Sequence, residues 1–322
     1  MIVKLLLLIL GLALVVLGAD ILVDGSSSIA RRLGISEFVI GLTVVGFGTS
    51  LPELVVSVLG ALQGNSDIAI GNVVGSNVFN VLLILAVSAL VRPIEVTRTN
   101  HRRDIPLTLA VTLLLIFTGM NRSLLGLGAA DGLSRLEGGI FVALFAAYLA
   151  YSFVKDNPQE AVSSDAAETK RLPGWLAAVM VLGGLAGLVL GGRLFVHSAE
   201  AIARMLHVSD KFIAITVLAM GTSLPEFVTS IVALAKRRSQ MALGNILGSN
   251  VFNILLILGT SALICPMSFA SMGWVDMAAL ALSALMVFAS IYTGQRDRID
   301  RFDGALMLLA FTAYMVWLFI KL

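Results

Sequence analysis

Long apolar runs are the feature that most limits what this chain can fold into. Three examples are Leu5–Val16, Leu107–Phe117 and Trp175–Leu190, none of which contains a charged residue. Only 13% of the 322 residues are charged, about half the share found in a soluble domain, which leaves too little polar surface to cover a water-soluble globule. Since a bilayer-spanning helix needs about 20 mostly apolar residues, the sequence predicts an all-α polytopic membrane protein.

The apolar segments divide into ten predicted transmembrane helices. The most polar stretch, residues 155–173, separates five helices from five and is typical of a solvated linker. The chain therefore divides into a first half at residues 1–154, this linker, and a second half at residues 174–322. The ten helices are predicted near residues 2–28, 36–63, 68–91, 105–119, 137–154, 174–200, 210–235, 241–264, 273–293 and 302–321.

Two segments of the first half return in the second half at a constant offset of 173 residues. Gly48–Glu53, with the sequence GTSLPE, returns as Gly221–Glu226, and Gly71–Asn80 returns as Gly244–Asn253 with the shared pattern GNxxGSNVFN. The loop after the first GTSLPE helix has no Lys or Arg, whereas residues 236–238 are Lys-Arg-Arg. Equivalent loops therefore lie on opposite sides of the membrane, so we expect two inverted five-helix repeats. Such repeats are typical of secondary transporters with a midplane site.

The distribution of Lys and Arg predicts how these helices are oriented. When the loops are numbered alternately, one side holds 15 of these residues and the other holds 7. Because cytoplasmic loops carry the excess of Lys and Arg, the central linker is expected in the cytoplasm and both termini outside. The alternative that helix one is a cleaved signal peptide is disfavoured, because the repeat extends to the residues just after Ala19.

Glu53 and Glu226 stand near the middle of predicted helices two and seven. An ionisable residue at that depth is costly unless it is paired or faces a cavity or an ion. The repeat should bring both carboxylates together near the bilayer centre, where two like charges would force one of them to bind a proton. A bound divalent cation removes that conflict. The alternative is a pair of protonated structural carboxyls.

Oxygen atoms surround both glutamates. Pro52 and Pro225 lack an N–H group and should break each helix beside its carboxylate, and freed carbonyls at membrane depth are tolerated only at a cavity or an ion. The carbonyls expected to be freed are those of Gly46, Gly48, Ala219 and Gly221. The hydroxyls within one turn are those of Thr49, Ser50, Thr222 and Ser223. An all-oxygen set suits a hard cation, Ca²⁺ above all.

The second repeated motif offers further oxygens. Ser76 and Asn80 are four residues apart and therefore share one face of a helix, as do Ser249 and Asn253. We expect these side chains to complete the cage, although interhelical hydrogen bonds would explain them as well. The neighbouring Asn77 and Asn250 point off this face and are interpreted as structural.

Other function classes find less support. The chain has one cysteine and three scattered histidines, so we expect no disulfide and no cysteine-based metal site. No nucleophile with a base and no nitrogen-ligated metal is indicated, so neither an enzyme nor a cofactor is predicted. A passive channel is the third alternative, but a charged cage should bind ions too tightly for rapid conduction. Asp20 and Asp24, near the end of helix one, are interpreted as snorkelling to the interface.

The doubled GTSLPE and GNxxGSNVFN segments resemble those of the calcium/cation antiporter superfamily, in particular its sodium/calcium exchanger family. The resemblance covers the whole chain and implies a prokaryotic member in the plasma membrane. It further implies that helices two, three, seven and eight surround one Ca²⁺ site that overlaps several Na⁺ sites, while helices one and six slide over them. The ligands that it implies are Glu53, Glu226, Thr49, Thr222, Ser50, Ser223, Ser76, Ser249 and the carbonyls of Gly46 and Ala219.

The expected function is therefore exchange of Na⁺ for Ca²⁺, with H⁺-coupled or K⁺-dependent divalent cation exchange as the alternative. Some prokaryotic and potassium-dependent relatives carry aspartate where this chain has Asn253, which argues mildly against K⁺ transport. The proton-coupled branch carries an acid and a histidine where Gly75 and Ser76 stand here. The expected partners are the two transported ions and the bilayer, with no nucleic acid and no protein partner.

Overall fold

A computed structural model describes residues 1–126, 130–156, 172–206, 219–270, 272–293 and 297–321. Nearly all of these residues are helical. The helices are α1 (Ile2–Leu33), α2 (Glu37–Thr49), α3 (Leu51–Leu62), α4 (Ser66–Val91), α5 (Ile105–Gly119), α6 (Asn121–Leu125), α7 (Arg135–Val154), α8 (Gly174–Met205), α9 (Ala219–Thr222), α10 (Leu224–Ala235), α11 (Ser239–Ile264), α12 (Trp274–Ser290) and α13 (Arg301–Lys321). The strands are β1 (Ile94–Glu95), β2 (Gly132–Leu133), β3 (Met267–Ser268) and β4 (Arg298–Ile299).

Within the described ranges, six helices are long and apolar enough to cross a membrane, namely α1, α4, α7, α8, α11 and α13. The pair α2 and α3 passes the same test together, with a 49° bend between them, and α10 and α12 are shorter apolar helices. The first and sixth predicted helices are longer than expected and end at Leu33 and Met205. Most of the predicted linker, residues 157–171, and the start of predicted helix seven, residues 210–218, lie outside the described residues.

The strand pairs show which helix ends lie together. β1 pairs with β4 and so joins the end of α4 to the start of α13. Gln240 at the start of α11 donates a hydrogen bond to the Glu95 carbonyl in β1, and Arg238 forms an ion pair with Glu37 at the start of α2. We call this end, with the Lys236–Arg238 turn, the basic end. β2 and β3 pair at the other end of the bundle, which we call the opposite end.

The helices α4 and α11 lie at the centre of the bundle. Their most apolar windows are 78% and 83% buried, against 17–33% for α1, α7, α8 and α13. Each contains a stretch of wider π-helical turns, Asn80–Leu85 in α4 and Phe252–Leu258 in α11. Such irregular turns are frequent at functional sites, and these two include equivalent positions of the repeated motif.

The helices α1 and α8 pack against each other along much of their length. Glycines make the contact possible, because a Cβ atom at Gly18 would lie 2.8 Å from the Gly184 carbonyl oxygen. A Cβ atom at Gly11 would lie 2.9 Å from the Gly191 carbonyl oxygen. Small residues of this kind let membrane helices approach closely, so the two backbones touch directly.

Candidate cation-binding site

Two matching helix breaks stand at the centre of the molecule. Ser50 separates α2 from α3 with φ −84° and ψ 6°, and Ser223 separates α9 from α10 with φ −87° and ψ 3°. Pro52 and Pro225 are the second residues of the new helices, where the missing N–H group has no helical partner to lose. The helix breaks expected from the prolines are therefore present, and each lies two residues before its proline.

The carboxylates of Glu53 and Glu226 each receive a hydroxyl from the other half of the chain. Ser50 Oγ donates to Glu226 Oε1 at 3.0 Å, and Ser223 Oγ donates to Glu53 Oε1 at 3.4 Å. Both side chains are buried, and among the described residues the second oxygen of each, Oε2, has no hydrogen-bond partner. A buried charged oxygen without a partner is costly, so these two atoms mark where a cation would be stabilised.

Two further asparagines hold the first turn of each glutamate helix. Asn72 Nδ2 donates to the Glu53 carbonyl at 3.2 Å and to Ser57 Oγ at 3.0 Å. Asn245 makes the same pair of hydrogen bonds 173 residues later, at 3.3 and 3.0 Å. The sequence pattern does not single out these residues as part of the site, although both are the first asparagine of GNxxGSNVFN. They fix the backbone from which each carboxylate projects.

Four asparagines join α4 to α11 beside the carboxylates. Asn80 Nδ2 donates to Asn250 Oδ1 and Asn253 Nδ2 donates to Asn77 Oδ1, both at 3.0 Å, and Asn77 Nδ2 also donates to the Asn250 carbonyl at 3.3 Å. These bonds orient the amides of Asn80 and Asn253 so that both Oδ1 atoms are buried without a partner in the described part of the chain. Asn77 and Asn250 thus have the structural part expected of them and also aim the two candidate ligands.

The serines of the second motif differ between the two halves. Ser76 Oγ lies 3.4 Å from Ser223 Oγ, within hydrogen-bond distance. Ser249 Oγ is buried and has no partner among the residues described. Each serine lies one turn before an asparagine that is a candidate ligand, so the two side chains share one helix face.

The remaining predicted ligands are the two threonines and the carbonyls of Gly46 and Ala219. Thr49 Oγ1 lies 3.2 Å from Asn245 Oδ1 and 3.3 Å from the Gly46 carbonyl oxygen, and its single proton is donated to one of them at a time. Thr222 is the last residue of α9, directly before the break at Ser223. The Gly46 carbonyl also accepts the Ser50 N–H group at 3.1 Å. The expectation that this carbonyl is free is therefore wrong for this conformation, because the last turn of α2 stays closed up to the break. Ala219 begins α9, and its side chain lies outside the described set.

A cleft of about 960 Å³ runs between α8 and the core helices α3 and α4. Residues next to the site, among them Pro52, Asn72 and Thr222, form one part of its wall. Ile68 and Glu200, which lie toward the opposite end, form another part. The cleft therefore connects the surroundings of the carboxylates with the opposite end of the bundle.

The chemistry of these groups suits a hard cation. The buried oxygens without a partner in the described ranges are Glu53 Oε2, Glu226 Oε2, Asn80 Oδ1, Asn253 Oδ1 and Ser249 Oγ around the break. The described residues contain no cluster of three or more His, Cys, Asp or Glu side chains that could hold a metal ion, so a cation at this site would depend on amide and hydroxyl oxygens as well as the two carboxylates. Carboxylate, amide and hydroxyl oxygens are the ligands preferred by Ca²⁺, and two carboxylates match its charge.

Comparison with known proteins identifies the family. The model of the sodium/calcium exchanger protein family matches residues 3–154 and 176–320. The chain belongs to that family. This exchanger-family chain is 38% identical to the putative antiporter CaxA of Alkalimonas amylolytica, over 99% of each chain. It is 36% identical to the sodium/calcium exchanger MaX1 of Methanosarcina acetivorans, over 98% of this chain and 99% of that one.

A solved structure agrees with the same assignment. The sodium-calcium exchanger NCX_Mj, soaked with 10 mM Na⁺ and zero Ca²⁺, matches with a TM-score of 0.82 and 33% sequence identity. The match covers 98% of this chain and 97% of that one. The family predicted from the doubled motifs is therefore confirmed, as are the classes of transport, antiport and membrane protein. The family and its structural neighbours are transporters rather than enzymes.

Proposed function

We propose that this protein is a secondary antiporter that exchanges Na⁺ for Ca²⁺ at the site around Glu53 and Glu226. The observation that carries the proposal is the pair of buried carboxylates, each with one oxygen held by a serine of the other half and one oxygen left without a partner in the described residues. Two fixed negative charges are matched by one Ca²⁺ or by at least two Na⁺, so the two ions compete for the same oxygens.

The charge of the site supplies the coupling. An empty site leaves two carboxylates unpaired in a region of low dielectric, which is strongly unfavourable. A site filled by Ca²⁺ or by Na⁺ is nearly neutral and can change its access at lower cost. The protein would therefore turn over only when loaded, which is the requirement for exchange rather than leak.

We further propose that the chain forms ten transmembrane helices in two inverted repeats, at residues 1–154 and 174–322, with residues 155–173 as a linker. The equivalent hydrogen bonds at an offset of 173 residues support this architecture, as does the location of the two strand pairs at different ends. The site would lie near the bilayer midplane and open to each side in alternation. The cleft at the opposite end is one of the two accesses.

The remaining ligands of the proposal are Thr49, Ser50, Thr222, Ser223, Ser76, Ser249, Asn80, Asn253 and the carbonyls of Gly46 and Ala219. The Gly46 carbonyl would first have to lose the Thr49 hydroxyl that it now accepts. The positive-inside rule supports an orientation with the basic end in the cytoplasm and both termini outside. The bacterial and archaeal relatives support the plasma membrane of a prokaryote.

H⁺-coupled or K⁺-dependent exchange is the alternative within the same family. Carboxylates that face each other can be neutralised by protons as well as by Na⁺, which keeps the H⁺ alternative open. The neutral Asn80 and Asn253 leave two formal charges in the described site, which gives an additional K⁺ little to bind.

The test is uptake of radioactive Ca²⁺ into proteoliposomes. Vesicles loaded with Na⁺ are diluted into Na⁺-free medium, and separate batches carry only a pH gradient or only a K⁺ gradient. We expect uptake with the Na⁺ gradient alone, and none from Glu226→Gln in the same vesicles. Uptake that follows the pH gradient and ignores Na⁺ would replace the proposal by its alternative.

A further inference from the structure

Equivalent surfaces of the two halves have different environments in this structure. Val55 on α3 lines the cleft and is 45% exposed, whereas Val228, its counterpart on α10, is 9% exposed. The difference arises because α8 leaves the cleft open beside α3, while α1 packs directly against α10. The space between α3 and α8 is thus open at the opposite end, whereas α10 and α1 are in contact at the basic end.

The closed side holds a buried hydroxyl that would gain a hydrogen-bond partner if water reached it. Thr229 Oγ1 on α10 is buried and has no hydrogen-bond partner in the described chain. Its counterpart in the first half is Val56, which lines the open cleft. A buried hydroxyl without a partner costs free energy, and that cost disappears if α1 moves away and water reaches it. The closed side therefore has the features of a passage that is shut.

Lys236 holds the closed side together. This residue follows α10, and its Nζ atom lies 2.7 Å from Asp20 Oδ1 and 2.8 Å from Asp24 Oδ1, both on α1. It also donates to the Asp20 carbonyl at 3.0 Å. The interpretation of the two aspartates as snorkelling side chains is therefore incomplete, because both form ion pairs with Lys236.

The first half and the second half differ at these positions. The counterparts of Asp20 and Asp24 are Arg193 and His197, which line the open cleft, and the counterpart of Lys236 is Gln63. An Arg, a His and a Gln cannot reproduce two aspartates around a lysine. The same ion pair therefore has no equivalent when α8 closes on α3.

We propose that Lys236, Asp20 and Asp24 form a one-sided latch that closes the passage at the basic end and favours the conformation open at the opposite end. This inference rests on the proposed alternating access. Opening the basic end requires α1 to separate from α10, in the same way that α8 is separated from α3 in this structure. This movement breaks the ion pairs of Lys236 with both aspartates. In the conformation open at the basic end, the contact between α8 and α3 has no corresponding ion pair. The latch therefore favours only the conformation that is open at the opposite end.

The experiment compares two reporter cysteines at equivalent positions. Cys265→Ser supplies a background without other cysteines, and Val55→Cys and Val228→Cys are introduced separately. Labelling rates with a membrane-impermeant methanethiosulfonate are measured in membranes accessible from both sides, without any ion gradient. The ratio of the two rates reports the balance between the conformations. We expect Lys236→Met to shift this ratio toward Val228→Cys by about two- to thirtyfold, the range for two partly exposed ion pairs.

Three controls make the outcome decisive. Lys236→Arg keeps the cation and should keep the ratio, whereas Asp20→Asn combined with Asp24→Asn should shift it as Lys236→Met does. Arg237→Asn removes the same charge from the same turn without touching the aspartates and should leave the ratio unchanged. Equal ratios in all variants, or an equal shift in Arg237→Asn, would overturn the latch. If the reporter proteins with Lys236 intact label as expected but the wild-type protein shows no gradient-driven uptake, the proposed function is refuted instead.

Discussion

Replacing Glu53 by glutamine should separate folding from ion binding. The side chain keeps its volume, and the oxygen that accepts from Ser223 can keep its hydrogen bond. The other oxygen has no partner among the described residues, so its replacement by an amide nitrogen breaks no contact there. The change also removes the repulsion between two buried carboxylates. We therefore expect Glu53→Gln in the absence of Ca²⁺ to unfold at the same temperature as the parent, or at a higher one.

Binding of Ca²⁺ should respond in the opposite way. Removing one partner from a buried charge pair costs about 3–5 kcal/mol, which corresponds to a loss of about 150- to 4,000-fold in affinity. Ca²⁺ at 100 times the dissociation constant stabilises a protein by about 2.7 kcal/mol. The same concentration would stabilise a variant with 100-fold weaker binding by only about 0.4 kcal/mol.

The assay is thermal unfolding in detergent, with and without Ca²⁺. The parent should gain stability with Ca²⁺, and both Glu53→Gln and Glu226→Gln should lose that gain while remaining monodisperse. Glu95→Gln is the matched control, because Glu95 is half-exposed at the basic end and its contact with Arg298 is long, at 3.5 Å. A Glu53→Gln protein that keeps the full Ca²⁺-dependent gain would refute the assignment of the site.

Four other measurements follow from the structure. Asn253→Asp should change the dependence of uptake on K⁺ or pH more than it changes stability, and unchanged profiles would show that Asn253 does not face the ions. Gly138→Ala should lower the melting temperature, because its Cβ would lie 2.7 Å from the Gly259 carbonyl oxygen; overpacking of this kind costs about 1–3 kcal/mol. Gly139→Ala, with 3.7 Å to Leu263 Cδ2, should not. Arg193→Gln should lower the KM for Ca²⁺ offered at the opposite end by about two- to fivefold at low salt only, with the maximal rate unchanged. If a third Na⁺ binds, one charge crosses per cycle, worth about 2.3 kcal/mol per 100 mV, and Ca²⁺ flux in liposomes clamped with valinomycin should follow voltage; a flux that ignores voltage would indicate two Na⁺.

The sequence predicts local features of the candidate site because these features depend on short, doubled motifs. Pro52 and Pro225 have a local effect on the backbone, so the breaks at Ser50 and Ser223 follow from the chain itself. The spacing of Ser76 and Asn80 likewise fixes a shared helix face. Within the described residues, the boundaries of α5 agree with the prediction at both ends, since the apolar run and its flanks are local features.

Contacts between distant residues could not be predicted in the same way. Nothing near Asn72 indicates that its amide holds the Glu53 carbonyl, because that contact depends on how α4 lies against α3. Whether the Gly46 carbonyl is hydrogen-bonded depends on the residue at which the helix breaks, because the turn before the break keeps its hydrogen bonds. The pairing of Lys236 with Asp20 requires α1 and α10 to meet, although they are separated by about two thirds of the chain. Hydropathy gives the helices but not the partners of each helix.

The exposure of the latch limits how strongly it can bias the protein. The side chains of Lys236, Asp20 and Asp24 are 26%, 51% and 41% exposed, so each pair contributes about 0.2–1 kcal/mol. Two such pairs shift the balance of conformations by about two- to thirtyfold. A latch worth about 4 kcal/mol would instead favour one conformation by roughly 10³-fold and slow exchange. The partly solvated position of Lys236 is thus what allows one chain to favour a conformation and still leave it.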